Sequence, residues 1–336
     1  MKIILDITKL VESGEITAEL AEKLKKLSAK ETGSLGINIL IVFGVVAFCL
    51  GVGLLAPKAI TAFLLSATLA IFGVVIKRHH NERWGPLGSA ALMIGAIVIP
   101  PSLFHLYPEI FGNGPEIFLV STAIFLILGV IGKSGFLVTL SALSTASWLG
   151  GSTGYTHASY GLVIREPTIT IVVFAALAVG ALFISKRLPA VYESIALIYA
   201  RVSLVLVNFG FWVGSLWGDT PGESWLKPEI FASPDQILDF GLNAVPEQAL
   251  HISAPAFSVG WALALLAVGI WGVRENRRFV VNTAAVFGSI LLYTRYFDYF
   301  QFEPFTIMTA GALAIGIGLG FWRYNQFATV QAENLD

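Results

Sequence analysis

Three polar residues recur every seven positions within one apolar run of the chain, residues 194–218. Arg201, Asn208 and Ser215 fall within about 40° of one another around a helix, so they form one polar row. A charged row inside a bilayer faces the bundle interior or a wet cavity, because charge facing lipid is costly. The row therefore predicts a structural anchor, in which the Arg201 stem stays in the bilayer and its guanidinium reaches the interface. The alternative is that Arg201, Asn208 and Ser215 line a solute-binding cavity.

The roughly opposite face of the same run carries only small residues. Gly210, Gly214 and Gly218 follow one another at four-residue spacing. A row of this kind lets two helix backbones approach closely, because no side chain holds them apart. We predict that these glycines form a helix-packing face.

An Arg and an Asp lie among aromatic residues in the segment LLYTRYFDYFQFEP, residues 291–304. Arg295 falls at the outer end of its apolar run, where its guanidinium reaches water while its stem stays in the bilayer. Asp298 follows three positions later, a spacing that allows an ion pair along one helix. We predict an anchored helix end at the outer interface. The alternative is an outer gate or a ligand contact.

Motifs that carry catalysis are missing from the sequence. It has no Walker A loop, no GxSxG elbow, no HExxH and no pair of carboxylates deep in an apolar run. The single cysteine, Cys49, excludes an intramolecular disulfide and a CxxC motif. His105, His157 and His251 fall near span ends on one side but lack the i,i+4 spacing of a helical metal site. The sequence therefore predicts no catalytic residue, metal or cofactor, and points away from an enzyme.

The elements that position these residues are membrane spans. The chain has 336 residues, of which 56% are hydrophobic and 13% charged, whereas soluble proteins carry about 25% charged residues. Apolar runs of about 20 residues cross the roughly 30 Å hydrocarbon core as helices. We predict an all-α, polytopic transmembrane bundle of ten spans, at residues 35–56, 59–76, 86–106, 115–132, 135–151, 168–184, 194–218, 252–272, 279–297 and 303–322.

Basic residues predict how the spans are oriented. If both termini are cytoplasmic, 16 of the 21 Lys and Arg residues lie on the cytoplasmic side, three lie outside and two lie within spans. Such a bias is typical of membrane proteins. The bundle at 35–322 therefore begins and ends inside, with an outer loop at 219–251 and a cytoplasmic tail at 323–336. The loop either covers an external cavity or is a solvated connector.

Residues 1–34 predict a cytoplasmic hairpin of two short amphipathic helices. Gly14 suits the end of the first helix, and Leu20, Leu24 and Leu27 share one face of the second. A hairpin of this length is too small to fold as an independent domain. It is therefore expected to lie on the membrane surface or to bind a cytoplasmic protein.

The segment LVESGEITAELAEKL, the Gly-rich spans that follow it and RYFDYF before the last span together carry a resemblance. The chain resembles a large prokaryotic family of predicted membrane proteins of unknown function, over most of its length. That resemblance implies a multi-pass protein of the cytoplasmic (inner) membrane. It implies no reaction and no catalytic residues.

The expected function is that of a structural or regulatory membrane protein whose hairpin binds a cytoplasmic partner. The alternative is a permease-like transporter with a cavity lined by span 194–218. The lipid bilayer is the main expected partner, and the net charge of −1 indicates no nucleic-acid partner.

Overall fold

The computed structural model describes residues 58–79, 81–111, 115–156, 159–222, 250–275, 277–300 and 303–312, with isolated positions in 11–51 and 315–323. The predicted hairpin at 1–34, the first span at 35–56 and the tail at 323–336 lie outside the described residues, apart from those isolated positions. Most of the predicted outer loop at 219–251 also lies outside them.

The described part of the chain is mostly helical, which confirms the predicted helical fold class. Its helices are α1 (Ala59–His79), α2 (Asn81–Leu106), α3 (Pro108–Phe111), α4 (Glu116–Ile131), α5 (Gly135–Trp148), α6 (Pro167–Ser185), α7 (Ala190–Trp217), α8 (Ala254–Arg274) and α9 (Arg278–Phe300). Strands β1 (Gly151–Thr156) and β2 (Ser159–Ile164) lie between α5 and α6. Residues 304–312 are also helical.

Five of the described helical segments are long and apolar enough to cross a membrane: α1, residues 84–106 of α2, α6, α7 and α8. Helices α4 and α5 are apolar but shorter. Large apolar side chains on the long helices are more than half exposed, among them Leu64, Ile71, Val172, Val179, Leu263 and Leu266. Apolar surface on this scale suits lipid better than water, so the fold indicates a membrane protein.

Residues 1–141 form one compact unit, in which α1 and α2 pack backbone against backbone. A Cβ atom at Gly73 would lie 2.4 Å from the backbone nitrogen of Leu92, and one at Gly95 would lie 2.5 Å from that of Ala70. Contacts this close exclude any side chain at the two glycines. Leu92 also belongs to the buried core that α2 shares with Phe125 of α4 and with α5.

Residues 142–336 form the second unit, and α7 is its central helix. One face of α7 packs on α6 around Phe174 and Leu206. Another face packs on α8 and α9 around Trp261 and Phe287. The ring of Phe209 on α7 meets that of Phe287 edge to face, with centroids 5.5 Å apart. Helix α7 is therefore held on both sides, which fixes the direction of its polar side chains.

Helix α5 is three residues shorter than the predicted span 135–151, and an antiparallel hairpin follows it. Helix α5 ends at Trp148, and β1 pairs with β2 from Gly151↔Ile164 to Thr156↔Ser159. Gly150 has φ +89°, a conformation that side chains disfavour, so it turns the chain out of the helix. The hairpin leads directly into Arg165, Glu166 and α6.

Candidate functional site

Asn208, the central member of the polar row, is used in packing between α7 and α8. Its side chain is 5% exposed. Its Nδ2 donates to the Leu204 carbonyl at 2.8 Å, and its Oδ1 accepts from Nε1 of the fully buried Trp261 at 2.9 Å. The adjacent cavity has a volume of about 30 Å³, which holds one or two waters and no larger solute.

Ser215 takes part in a second contact between helices, made by Arg295. The Arg295 guanidinium donates to the Ser215 carbonyl of α7 and to the Ser258 hydroxyl of α8. It also pairs with Asp298 on its own helix at 2.8 Å, where the two side chains are 30% and 48% exposed. Arg295 therefore joins three helices, and the ion pair is its more exposed contact. The sequence predicted the pair with Asp298 and missed the contacts with α7 and α8.

Arg201 lies apart from the other two residues of the polar row. Its side chain is exposed, and its guanidinium carbon lies 5.3 Å from the ring centroid of Phe279 on α9. This distance suits a cation–π contact. The structure therefore brings Asn208 and Ser215 into helix packing and leaves Arg201 at the surface of the bundle.

The three glycines of α7 meet three different neighbours. A Cβ atom at Gly210 would lie 2.9 Å from Ile171 of α6, and one at Gly214 would lie 2.6 Å from the Phe257 ring of α8. Gly218 follows the last residue of α7 with φ +75°. Its Cβ would approach the Ile252 carbonyl to 2.8 Å. The glycines thus allow close approach, but to two helices and one connecting segment.

A larger cavity, called the end cavity here, opens where α7 ends. It has a volume of about 510 Å³ and is bounded by β2, the start of α6, the end of α7 and the segment before α8. Its lining includes Leu162, Arg165, Val213, Trp217, Asp219 and His251.

Asp219 forms one wall of the end cavity. It is 7% exposed, and its Oδ2 accepts from the Thr168 backbone N–H at 2.8 Å. Its own backbone pairs with Ile252 through hydrogen bonds of 2.9 and 2.8 Å, which join the two ends of the 219–251 connection. Burial raises the pKa of the Asp219 carboxyl, and the negative charge of Glu166 raises it further, against hydrogen bonds from Thr168 that lower it.

Glu166 lies next to the end cavity and is fully buried. Its carboxylate accepts from the Gly222 backbone N–H at 2.7 Å. Gly222 has φ +86°, which only glycine adopts readily. Asp219 and Glu166 thus tie the beginning of the 219–251 connection to the beginning of α6.

Arg165, Trp217 and His251 complete the charged and aromatic lining. The stem of Arg165 lies on Gly150, where a Cβ atom would come within 3.1 Å of the Arg165 Cβ. Trp217 is 70% exposed. Nδ1 of the exposed His251 lies 3.1 Å from the Thr220 hydroxyl. The end cavity therefore combines a cation, a carboxylate and apolar walls.

The predicted span boundaries place Arg165, Glu166 and Asp219 in the loops that connect the spans. Their positions in the sequence could have predicted that they lie close together. Glu166 precedes Pro167 at the start of one span, and Asp219 follows Gly218 at the end of the next. Both therefore fall at the same end of neighbouring antiparallel helices.

The three histidines considered as metal ligands have separate surroundings. Nδ1 of His105 hydrogen-bonds the Pro101 carbonyl at 2.8 Å, and His251 contacts Thr220. His157 lies outside the described residues. In the part of the chain that the structure describes, no three His, Cys, Asp or Glu residues are grouped as metal ligands.

No protein-family model, no curated protein and no solved structure matches this chain. Its function is therefore inferred from the chemistry of its own residues.

Proposed function

We propose that the protein is a structural or regulatory multi-pass protein of the prokaryotic inner membrane, a member of the family it resembles. Ten spans with both termini in the cytoplasm are supported by the five long apolar helices and by the bias of 16 of 21 basic residues. Residues 1–34 bind a cytoplasmic partner through the apolar face that contains Leu24.

The observation that carries this proposal is the use of polar groups in α7. Asn208 is bonded to Trp261, and the Ser215 carbonyl accepts from Arg295. A transport path needs polar side chains that face water, whereas only about 30 Å³ of free volume adjoins Asn208. Polar contacts between helices instead hold a bundle in one packing arrangement. The use of these polar groups in helix packing therefore favours a structural (scaffold) role over a transport path.

The experiment that tests the proposal replaces Asn208. Asn208→Leu should lower thermal stability and accumulation in the membrane, and any cellular phenotype should follow the amount of protein. Asn282→Leu on α9 is the matched control, because Asn282 is exposed, and it should leave both unchanged. Normal accumulation of Asn208→Leu with altered solute uptake would contradict the scaffold.

A permease-like transporter is the second candidate, favoured by the end cavity. The last turns of α7 contribute Val213 and Trp217 to its wall, so a solute site lined by this helix is available at its end. Under this alternative, Trp217→Ala should change solute uptake in membrane vesicles while the amount of protein stays constant. Unchanged uptake across a panel of labelled solutes would count against it.

The partner-binding role of residues 1–34 has its own test. A photo-crosslinking residue in place of Leu24 should give a discrete protein adduct in intact cells. Lys30, in the same segment but off the apolar face, is the control position and should give little adduct. Lipid adducts alone at Leu24 would show that the hairpin is only a membrane anchor.

A further inference from the structure

We propose that the end cavity binds a small zwitterion, a molecule with one ammonium group, one carboxylate group and an apolar side chain. This inference goes beyond the scaffold role. It requires only that the ligand binds, whether or not the ligand crosses the membrane.

The end cavity has the size and the rigidity of a small-molecule site. Its volume of about 510 Å³ lies within the roughly 300–1,000 Å³ typical of ligand sites. Its walls are joined by the hydrogen bonds of Asp219 to Thr168 and Ile252 and of Glu166 to Gly222. Little ordering entropy is therefore lost when a ligand enters.

The carboxylate side of the end cavity suits an ammonium group. Asp219 uses Oδ2 to accept from the Thr168 N–H, and an ionised carboxylate has about four acceptor positions on its two oxygens. Burial opposes its negative charge, and Glu166 adds a second one nearby. The positive charge of an ammonium group placed at Asp219 offsets the cost of burying the Asp219 charge. It also offsets the repulsion between the Asp219 and Glu166 carboxylates.

Arg165 suits the carboxylate of the same ligand. A guanidinium presents five N–H donors in a planar fork that matches a carboxylate. Arg165 can therefore keep a contact with another group of the protein and still donate to the ligand carboxylate. The stem of Arg165 lies against Gly150, which limits where the guanidinium can reach.

The lining carries both a positive and a negative charge, so it disfavours simple cations and simple anions alike. A simple cation would meet Arg165, and a simple anion would meet Asp219. A zwitterion offers each wall group a group of opposite charge. Val213, Leu162 and the exposed face of Trp217 supply apolar surface for a side chain of modest size.

The test uses the purified full-length protein and isothermal titration calorimetry with leucine, leucinamide and N-acetylleucine. Leucinamide lacks the carboxylate and N-acetylleucine lacks the ammonium. Leucine should bind, and each derivative should bind at least about tenfold more weakly, because one charged group of the lining then lacks its partner. No binding of leucine, or equal binding of either derivative, would overturn the proposal.

Two substitutions test whether Asp219 and Arg165 make the proposed contacts with the ligand. Asp219→Asn keeps an acceptor for the Thr168 N–H. Arg165→Gln replaces an exposed charged side chain with a neutral polar one. Each should weaken leucine binding at least about tenfold. The exposed Glu193→Gln and Arg187→Gln, which lie outside the cavity lining, are the matched controls and should bind leucine normally.

Thermal melting of each variant separates loss of binding from loss of folding. If Asp219→Asn does not fold, Arg165→Gln still decides the outcome. A folded Arg165→Gln protein that binds leucine as tightly as the unchanged protein would overturn the proposal. A failure of leucine binding leaves the tests at Asn208 and Leu24 unaffected, because those measure stability and partner contact.

Discussion

At the scale of single residues, two sets of polar contacts join α7, α8 and α9. Asn208 and Trp261 satisfy each other, and Arg295 serves both the Ser215 carbonyl and the Ser258 hydroxyl. A buried polar group that loses its partner costs about 1–3 kcal/mol, more than an average hydrogen bond contributes. Single substitutions at these positions should therefore be more harmful than paired ones.

The Asn208–Trp261 contact can be measured with a double-mutant cycle. Asn208→Leu and Trp261→Phe should each destabilise the protein by about 1–3 kcal/mol, because each leaves one buried group without a partner. The double variant should cost less than the sum, by about 0.5 kcal/mol or more. Unfolding in mixed micelles gives these free energies. Strict additivity would show that the two side chains do not interact.

Arg295 and Asp298 should differ in importance although they form one ion pair. Asp298→Asn should change the free energy of unfolding by only about 0–1 kcal/mol, because the pair is partly exposed. Arg295→Met should cost about 1–3 kcal/mol, because Ser215 and Ser258 lose a charged donor. Equal losses from the two variants would mean that the ion pair itself dominates.

Asp219 should make stability depend on pH. Its pKa is raised from the ordinary value of 3.8, chiefly by burial, so the folded state keeps this proton to higher pH than the unfolded state. The stability contributed by this group is present below the ordinary pKa and is lost as the pH rises through the raised one.

Asp219→Asn cannot ionise and should lack that decline. Melting temperatures of both proteins, measured from about pH 4 to 8, should diverge in favour of the Asn variant as the pH rises. A difference that stays constant over this range would contradict the raised pKa.

At the scale of elements, α7 organises the second unit. Its glycines at 210 and 214 bring it against α6 and α8. The Asn208 side chain accepts from Trp261 of α8, and the Ser215 backbone carbonyl accepts from Arg295 of α9. The predicted single packing face is therefore divided between two neighbours, because a central helix contacts other helices on most of its circumference.

Gly214 provides the test of this packing. Gly214→Leu should abolish accumulation of folded protein, because a Cβ atom alone would lie 2.6 Å from the Phe257 ring. Gly180→Leu on α6 is the matched control, since no atom lies within 4 Å of its Cβ position, and it should accumulate normally. Fluorescence-detected size exclusion compares the two. A well-folded Gly214→Leu protein would refute the α7–α8 contact.

The sequence predicted the long described helices to within about five residues, because long apolar runs are typical of helices that cross a membrane. Span 168–184 corresponds to α6 at Pro167–Ser185, for example. The sequence did not predict the short helix α3 at Pro108–Phe111. It missed the hairpin at 151–164, where Gly, Ser and Tyr give no regular apolar period. It missed the end cavity because Glu166 and Gly222 meet across 56 positions, and spacing within one helix carries no information on such contacts.

At the scale of the whole molecule, the proposed membrane topology determines which side of the membrane each connection faces. Three spans follow the 219–251 connection in the proposed arrangement, namely α8, α9 and the segment at 303–322. An odd number of crossings places the connection and the C-terminal tail on opposite sides of the membrane. The basic residues Arg274, Arg277 and Arg278 between α8 and α9 favour the cytoplasm for that turn.

Cysteine labelling tests this arrangement most directly. In a Cys49→Ser background, which removes the single native cysteine, one variant carries Ser233→Cys in the connection and another carries Ala332→Cys in the tail. A membrane-impermeant maleimide should label the Ser233→Cys variant in intact cells and the Ala332→Cys variant only after permeabilisation. Labelling of both variants in intact cells, or of the tail variant alone, would contradict the ten-span arrangement with both termini in the cytoplasm.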